Sequence, residues 1–578
     1  MTRTAGHPAI FLSRLSAVKH LAPLRRLPVI LLGAALIASG CSSDSNEGTT
    51  KGTTTTTSTS TTASQSPYNG HECDSGLSSD KMEVTKVDGS DSDFTLSSFD
   101  DTEIRLHWFP VKGATKDKPA PTIMMGPGWS LGGDTNTEGG ALFGALSIGG
   151  MWEQGYNVLT WDPRGFGQSG GVASVNDPEK EGRDAQLLLD FVASRPEAQS
   201  DDDGDPRVGM VGYSYGGGIQ LTLAGIDCRV DAIVPGIAWH SLETSLYKQE
   251  TVKTGWASIL TSTVPENRLD PHIVSATKSG LGNGLLSDED REWFISRGPG
   301  DELVGKITVP TLLVGGTVDN LFTLQENLTN FNILQGNNVA VSMVWFCGGH
   351  GTCLTNAGDT QQAAKSSFAW LARYVKGDQD AEALATLDLL DQNGQRWIAD
   401  SWPLADAAVL RSEGSGSLDL TDESVSGGAA MEPVEGDQLG FLTMAITPTK
   451  ASKAIDVRVA TEESALLLGA PKISFTYTGT LPEGETDGRV FAQLVDDDTD
   501  LVLGNQVTPI KVTLDGEQHT IELPLEVIAH YLDASSSLTL QIVATTTAYA
   551  TPPLGGSIDI TDLSLDLPVA PTKSVKKG

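Results

Sequence analysis

From about residue 90 to residue 377 the chain alternates two hydrophobic rhythms. Short runs of β-branched, aliphatic and aromatic residues, bounded by Gly, Pro and Asp, predict strands over 94–98, 103–109, 121–125, 156–161, 208–211, 230–235, 311–314 and 339–346. Between them, apolar positions recur at helical spacing over 180–193, 215–226, 324–334 and 361–375, the last putting Ala364, Phe368, Leu371, Tyr374 and Val375 on one face. Strands alternating with helices predict an α/β class core with a largely parallel sheet. Residues 240–300 break the rhythm: they are helical in pattern, carry Trp256 and Trp293, and stand between the sixth and seventh strands, so they read as a cap inserted over the sheet. The core is then 85–239 and 301–380. After residue 377 come short β runs such as 472–479, 489–495 and 538–544, separated by Gly, Asp, Ser and Pro without helical spacing, and 381–568 read as an all-β sandwich.

The N-terminus follows a different pattern. Arg3, Arg14, Lys19, Arg25 and Arg26 precede the apolar run 27–38 with no acid among them. That run is shorter than the roughly 20 residues a spanning helix needs, so 1–40 read as a secretory leader. Ile37-Ala38-Ser39-Gly40-Cys41 resembles the lipobox of bacterial lipoproteins, which implies a lipid-bearing Cys41 on the outer face of the bacterial cell membrane and no other membrane contact. Residues 41–67, with an unbroken Ser/Thr block from Thr53 to Thr62, read as a disordered tether because they hold too little apolar surface to offset chain entropy. Composition narrows the class further. Of 578 residues, 39% are apolar and 20% charged, an ordinary globular balance, and the length allows about three to five folded units. The net charge of -35 repels phosphate backbones and argues against a nucleic-acid partner.

One motif carries chemistry. Gly212-Tyr213-Ser214-Tyr215-Gly216 lies between a predicted strand and a predicted helix, the context of a nucleophile elbow, where glycines admit a tight turn that holds the serine out above the sheet. A serine hydroxyl needs a base, and the base needs an orienting acid; in such folds the chain order is Ser, acid, His. Asp319 follows the seventh strand in Gly315-Gly316-Thr317-Val318-Asp319, as the acid or as the cap of the next helix. His350 follows the eighth in Cys347-Gly348-Gly349-His350-Gly351, a turn with three glycines. His240 is the competing base, with a pocket-lining or cap-contact role expected instead. Asp301 and Glu302 are the reserve acids. For the oxyanion, the backbone N–H of Tyr215 is one donor and that of Trp129, in Gly126-Pro127-Gly128-Trp129, the other. Asp162 and Arg164, in Asp162-Pro163-Arg164-Gly165-Phe166-Gly167-Gln168-Ser169, read as a hydrogen-bonded structural pair. No spacing suits a metal, and no cofactor is implied.

The elbow, the D-x-R-G-x-G-x-S loop, the helical insertion and the trailing β region together resemble the Xaa-Pro dipeptidyl-peptidase and cocaine esterase family of serine hydrolases over about residues 85–568. The resemblance implies an α/β-hydrolase core, a helical cap and a jelly-roll C-terminal domain of the galactose-binding-like type, with Ser214, Asp319 and His350 as the triad. Members often supply an oxyanion hydroxyl from a Tyr where this chain has Gly128-Trp129. The substrate implied is a peptide cut as by a dipeptidyl-peptidase, or a small acyl ester or amide; a catalytically inert, envelope-binding surface lipoprotein is the alternative of another class.

Five cysteines remain to be placed. With Cys41 assigned to lipid, Cys347 and Cys353 flank His350 six positions apart across a Gly-rich turn that brings their α-carbons within disulfide reach, and a bond between them is expected. Cys73 and Cys228 either pair or stay reduced.

Overall fold

The computed structural model describes residues 82–139, 145–421 and 446–578. The leader, Cys41, the Ser/Thr tract and Cys73 lie outside the described residues.

Twelve described strands form one sheet, in the order Glu83–Lys86, Asp93–Ser97, Glu103–Phe109, Asn157–Trp161, Thr122–Gly126, Val208–Tyr213, Val230–Gly236, Thr311–Gly316, Val341–Phe346, Leu387–Leu390, Arg396–Ala399 and Lys576–Lys577. The run from Asn157–Trp161 to Leu387–Leu390 is parallel throughout. Its central strands are buried along their whole length, as Val208–Tyr213 and Thr311–Gly316 are, because helices cover both faces and every side chain meets apolar neighbours. This explains why the sequence there reads as unbroken apolar runs rather than as alternation.

The order Asn157–Trp161, Thr122–Gly126, Val208–Tyr213 contains the feature that matters for function. The chain leaves Thr122–Gly126 toward one side of the sheet and Val208–Tyr213 toward the other. Two adjacent strands whose connections diverge leave a crevice beyond their carboxyl ends, where open α/β sheets bind ligands.

Between Val230–Gly236 and Thr311–Gly316 stand helices Leu242–Leu246, Thr254–Ser262, Pro271–Asn283, Asp288–Ile295 and Gly300–Val304. Ser241, Asp270 and Ser287 cap three of them at the N-terminus by accepting backbone N–H groups. The helix expected over 180–193 is the α-helix Arg183–Ala193 entered through a π turn, Pro178–Gly182.

The C-terminal region builds two further sheets. One has Ala408–Asp419, Lys472–Thr480 and Ser557–Val569 among its six described strands; the other orders Ile455–Ala460, Ser537–Val543, Asp487–Asp496 and Thr508–Thr513. Lys472–Thr480 alternates buried and less buried positions residue by residue, the mark of a strand with one face on a core and one toward water. The expected start of this domain at residue 381 needs correction. Leu387–Leu390 and Arg396–Ala399 extend the parallel core sheet, and so does the C-terminal Lys576–Lys577. A short apolar run states that a strand exists but not which edge it joins, since any edge offers the same backbone hydrogen bonds.

Candidate active site

Ser214 stands between Val208–Tyr213 and helix Tyr215–Ile226, with φ 56° and ψ -119°, a left-handed conformation that non-glycine residues rarely hold and that costs on the order of 1–3 kcal/mol. It is held by its neighbours: its N–H donates to Gly236 O at 2.8 Å, and its carbonyl accepts from Gly217 and Gly218 at 2.8 and 2.9 Å. Behind the turn, backbone meets backbone. A Cβ on Gly216 would lie 2.1 Å from Gly126 O, and one on Gly212 would lie 2.7 Å from the same oxygen. The elbow is therefore pressed against the end of Thr122–Gly126, and glycine at 126, 212 and 216 is what lets the two strand ends touch.

His350 Nε2 lies 2.9 Å from Ser214 Oγ. Its Nδ1 lies 2.7 Å from Asp319 Oδ2, which also accepts the His350 backbone N–H at 3.0 Å. Asp319 is fully buried, and its other oxygen, Oδ1, accepts Leu321 N–H and Phe322 N–H at 2.9 Å each. The two readings of Asp319 are thus compatible: one oxygen caps the following turn and the other faces the histidine. A proton on Nδ1, bonded to the carboxylate, leaves the lone pair of Nε2 toward the serine hydroxyl, so the arrangement can take the Ser214 proton. Trp256 and Phe322 stand edge-on to the imidazole, with ring centroids 5.7 and 5.1 Å away. The base turn is closed by a Cys347–Cys353 disulfide with α-carbons 5.5 Å apart. Cys228 is also disulfide-bonded.

The N–H groups of Tyr215 and Trp129 donate to no carbonyl among the described residues. Tyr215 opens the helix after Val208–Tyr213 and Trp129 stands in the loop after Thr122–Gly126, and both residues line the cleft with Ser214. The Trp129 indole is engaged elsewhere, donating to Leu260 O at 2.9 Å and standing edge-on to Phe166 and Tyr215.

Several other expected residues fall differently. His240 does not line the cleft at Ser214. Its ring bonds to Asn330 Oδ1 at 2.8 Å and approaches Asp301 at 3.0 Å, tying the start of the inserted helices to helix Leu324–Gly336. Asp301 is accordingly paired, and Glu302 pairs with Lys306 on the surface. Asp162 and Arg164 are not a pair. Asp162 accepts from Gly133 N–H and Gln168 N–H, whereas Arg164 donates to Asp184 and Asp100. The motif supplies two separate anchors, because both faces of the loop need partners when the loop itself is buried.

Glu181 is a residue that pattern reading missed. It is buried, accepts Ser174 and Asp177 N–H groups, and receives the Tyr215 hydroxyl at 3.2 Å; burial pushes its carboxyl up to about 7. In sequence it is one acid among several at a helix start, and nothing local marks it. Lys253 is likewise buried, donating to the Asn320 and Leu321 carbonyls beside Asp319, and burial holds its ammonium down to about 8. Among the described residues no group of three His, Cys, Asp or Glu is arranged to hold a metal ion, and no helix is long and apolar enough to cross a membrane.

Above Ser214 opens a cleft that Ser214 itself helps to line. Its walls are largely apolar, with Trp239, Leu246, Leu260, Ile273, Phe294 and Phe322 among them. Its charged lining residues are Glu243 and Arg291, which bond to each other at 2.7 Å.

An elbow serine beside a carboxylate-oriented histidine, at the crevice of a parallel α/β sheet, defines a serine hydrolase with an α/β-hydrolase core. Residues 101–352, which span elbow, acid and base, match the family model of the X-Pro dipeptidyl-peptidases of the S15 family, and over that stretch the chain is similar to this family. Among solved structures it is similar to a CocE/NonD family hydrolase from Staphylococcus aureus, with 13% identity and a TM-score of 0.58 over 85% of this chain and 94% of that one. It is also similar to an alpha-amino acid ester hydrolase, with 12% identity and a TM-score of 0.62 over 88% of this chain and 100% of that one. At such identities the likeness is one of fold. An uncharacterized protein of Pseudomonas aeruginosa is 33% identical over 85 residues, 14% of this chain and 22% of that protein.

Proposed function

We propose that the chain hydrolyses esters or amides through an acyl-enzyme on Ser214. Ser214 Oγ attacks the carbonyl carbon while its proton passes to His350 Nε2, Asp319 stabilises the imidazolium, and the N–H groups of Tyr215 and Trp129 receive the oxyanion. His350 then gives the proton to the leaving group, and water deprotonated by the same nitrogen releases the acid. The observation that carries this reading is the unbroken Ser214–His350–Asp319 chain at 2.9 and 2.7 Å, open to a cleft.

The cleft favours an uncharged, apolar acyl group. A free α-amine entering it would need a carboxylate partner, and Glu243 is already neutralised by Arg291. Two other acids of the inserted segment are engaged elsewhere, Glu250 with Lys511 and Glu266 with Lys278. The family match favours a second reading, an X-Pro dipeptidyl-peptidase. Paired substrates separate the two: a dipeptidyl-Pro amide, the same peptide N-acetylated, and a series of short-chain aryl esters. We expect the esters to turn over faster and acetylation to leave peptide cleavage unchanged or improved. Loss of cleavage on acetylation would establish the peptidase reading instead. A fluorophosphonate that left Ser214 unlabelled would point to an inert, envelope-binding protein.

We read the two C-terminal sheets as a jelly roll of the galactose-binding-like type. Export and anchoring through Cys41 belong to the same proposal and rest on the leader and lipobox-like residues. The native chain should partition with membranes and carry diacylglycerol on its Cys41 peptide by mass spectrometry; a Cys41→Ser chain that stayed with the membranes would overturn the anchor.

A further inference from the structure

The acid and base turns lie on the core, yet each is also gripped from the C-terminal β domain. Between Asp487–Asp496 and Thr508–Thr513 a tight turn, Leu503–Asn505, runs through Gly504 and Asn505 at φ 66° and 53°. The left-handed pair turns two consecutive side chains, those of Asn505 and Gln506, into the core. Asn505 Nδ2 donates to Thr352 O at 2.8 Å, two residues past His350 and inside the disulfide-closed turn. Gln506 Nε2 donates to the carbonyl of Asp319 itself at 3.1 Å. Asn505 is 2% exposed and Gln506 6%, so neither bond competes with water. The same turn is fixed to the core sheet by Gly504 N–H, which donates to Gln392 Oε1 at 2.8 Å. A second grip lies just beyond the acid, where Thr323 Oγ1 donates at 2.8 Å to Glu526 of the β domain, a buried carboxylate paired with Lys248 and held below its usual range by that ammonium against the opposing effect of burial.

We infer that Asn505 and Gln506 are positioning residues of the active site, setting the separation of the His350 and Asp319 turns, so that turnover depends on the β domain. This rests on the reading of Ser214, His350 and Asp319 as the triad. The physical reason is that the turn carrying His350 is bent at Gly348 and Gly349, with φ 159° and 116°, and glycine backbone alone does not fix a position. The disulfide limits the internal shape of that turn but not where it sits relative to Asp319. Two consecutive amides on a rigid turn supply that register. A triad needs it, because a displacement of about 1 Å can cost ~100-fold in rate.

The test uses a fluorophosphonate probe, which reports attack by Ser214 without a known substrate. In the full chain, Gln506→Met removes the amide at similar length, and Asn505→Gly removes the side chain while keeping the left-handed backbone. The double variant is expected to lose roughly 10-fold or more in the maximal labelling rate with the probe's binding constant within about 2-fold, since the cleft walls are untouched. The low-field proton resonance of His350 Nδ1 bonded to Asp319 should broaden or vanish. Arg489→Met removes a bond across the same domain interface that ends on Thr251 Oγ1 rather than on either triad turn, and should leave both readouts unchanged. Should the double variant fail to fold, each single variant carries the same test with a smaller loss. Equal labelling rates in parent and variants would overturn the positioning role while leaving the triad intact. An equal loss in Arg489→Met would reduce it to general interface stability. A parent chain that does not label would overturn the triad reading itself, and this inference with it.

Discussion

Asp319→Asn should lower turnover by on the order of 10³- to 10⁴-fold with the melting temperature little changed, and the bonding of Asp319 shows why. One oxygen is fixed by the N–H groups of Leu321 and Phe322. In an asparagine, that position must be the amide oxygen, which forces the NH₂ group toward His350. There it meets two donors, the His350 backbone N–H and the Nδ1 proton. The imidazole escapes the clash by moving its proton to Nε2, which then presents a hydrogen where it should accept one from Ser214. Ser214→Ala and His350→Ala should each reach a comparable floor, and combining either with Asp319→Asn should cost little more, because the three act as a unit. The measurement is steady-state hydrolysis of an aryl ester by variants whose circular dichroism matches the parent. Asp319→Asn activity within about 10-fold of the parent would place the orienting acid elsewhere.

The second large effect is expected from a single methyl group. In Gly216→Ala the new carbon would lie 2.1 Å from Gly126 O and 2.5 Å from Gly126 C, and both are backbone atoms with no side chain to swing aside. Either the elbow or the end of Thr122–Gly126 must move. Overpacking of this kind costs about 1–3 kcal/mol or more in stability. It also separates Tyr215 from Trp129, one on each side of the contact, so the loss of turnover should approach the ~100-fold of a missing oxyanion donor. Gly282→Ala is the matched control: it sits in helix Pro271–Asn283 with open space around it and should raise stability slightly. Thermal melting and turnover, measured together, decide the matter; a Gly216→Ala chain as stable and active as Gly282→Ala would mean that the close approach is not maintained in solution.

What the sequence determined by itself is what local chemistry can encode. The elbow is written in five consecutive residues, because the turn's steric demand falls on the neighbours of Ser214. Parallel strands and their helices are legible in the apolar periodicity, since burial on two faces or one leaves a direct trace in residue type. The turns of Asp319 and His350 were reachable because chain order and strand ends restrict the candidates to them, and the disulfide because a Gly-rich turn lets α-carbons six positions apart approach within bonding distance. The boundary at residue 381, the separate partners of Asp162 and Arg164, the burial of Glu181 and the neutralisation of Glu243 were decided by tertiary structure alone. In each case the deciding contact is electrostatic or a hydrogen bond to a group distant in sequence, and such a bond needs one donor or acceptor at the right place rather than a pattern of them. Asn505 and Gln506 are the extreme case. They are two amides in a polar turn, indistinguishable along the chain from any other, and reach the active-site turns only because the β domain folds back onto the sheet across more than 150 residues of sequence.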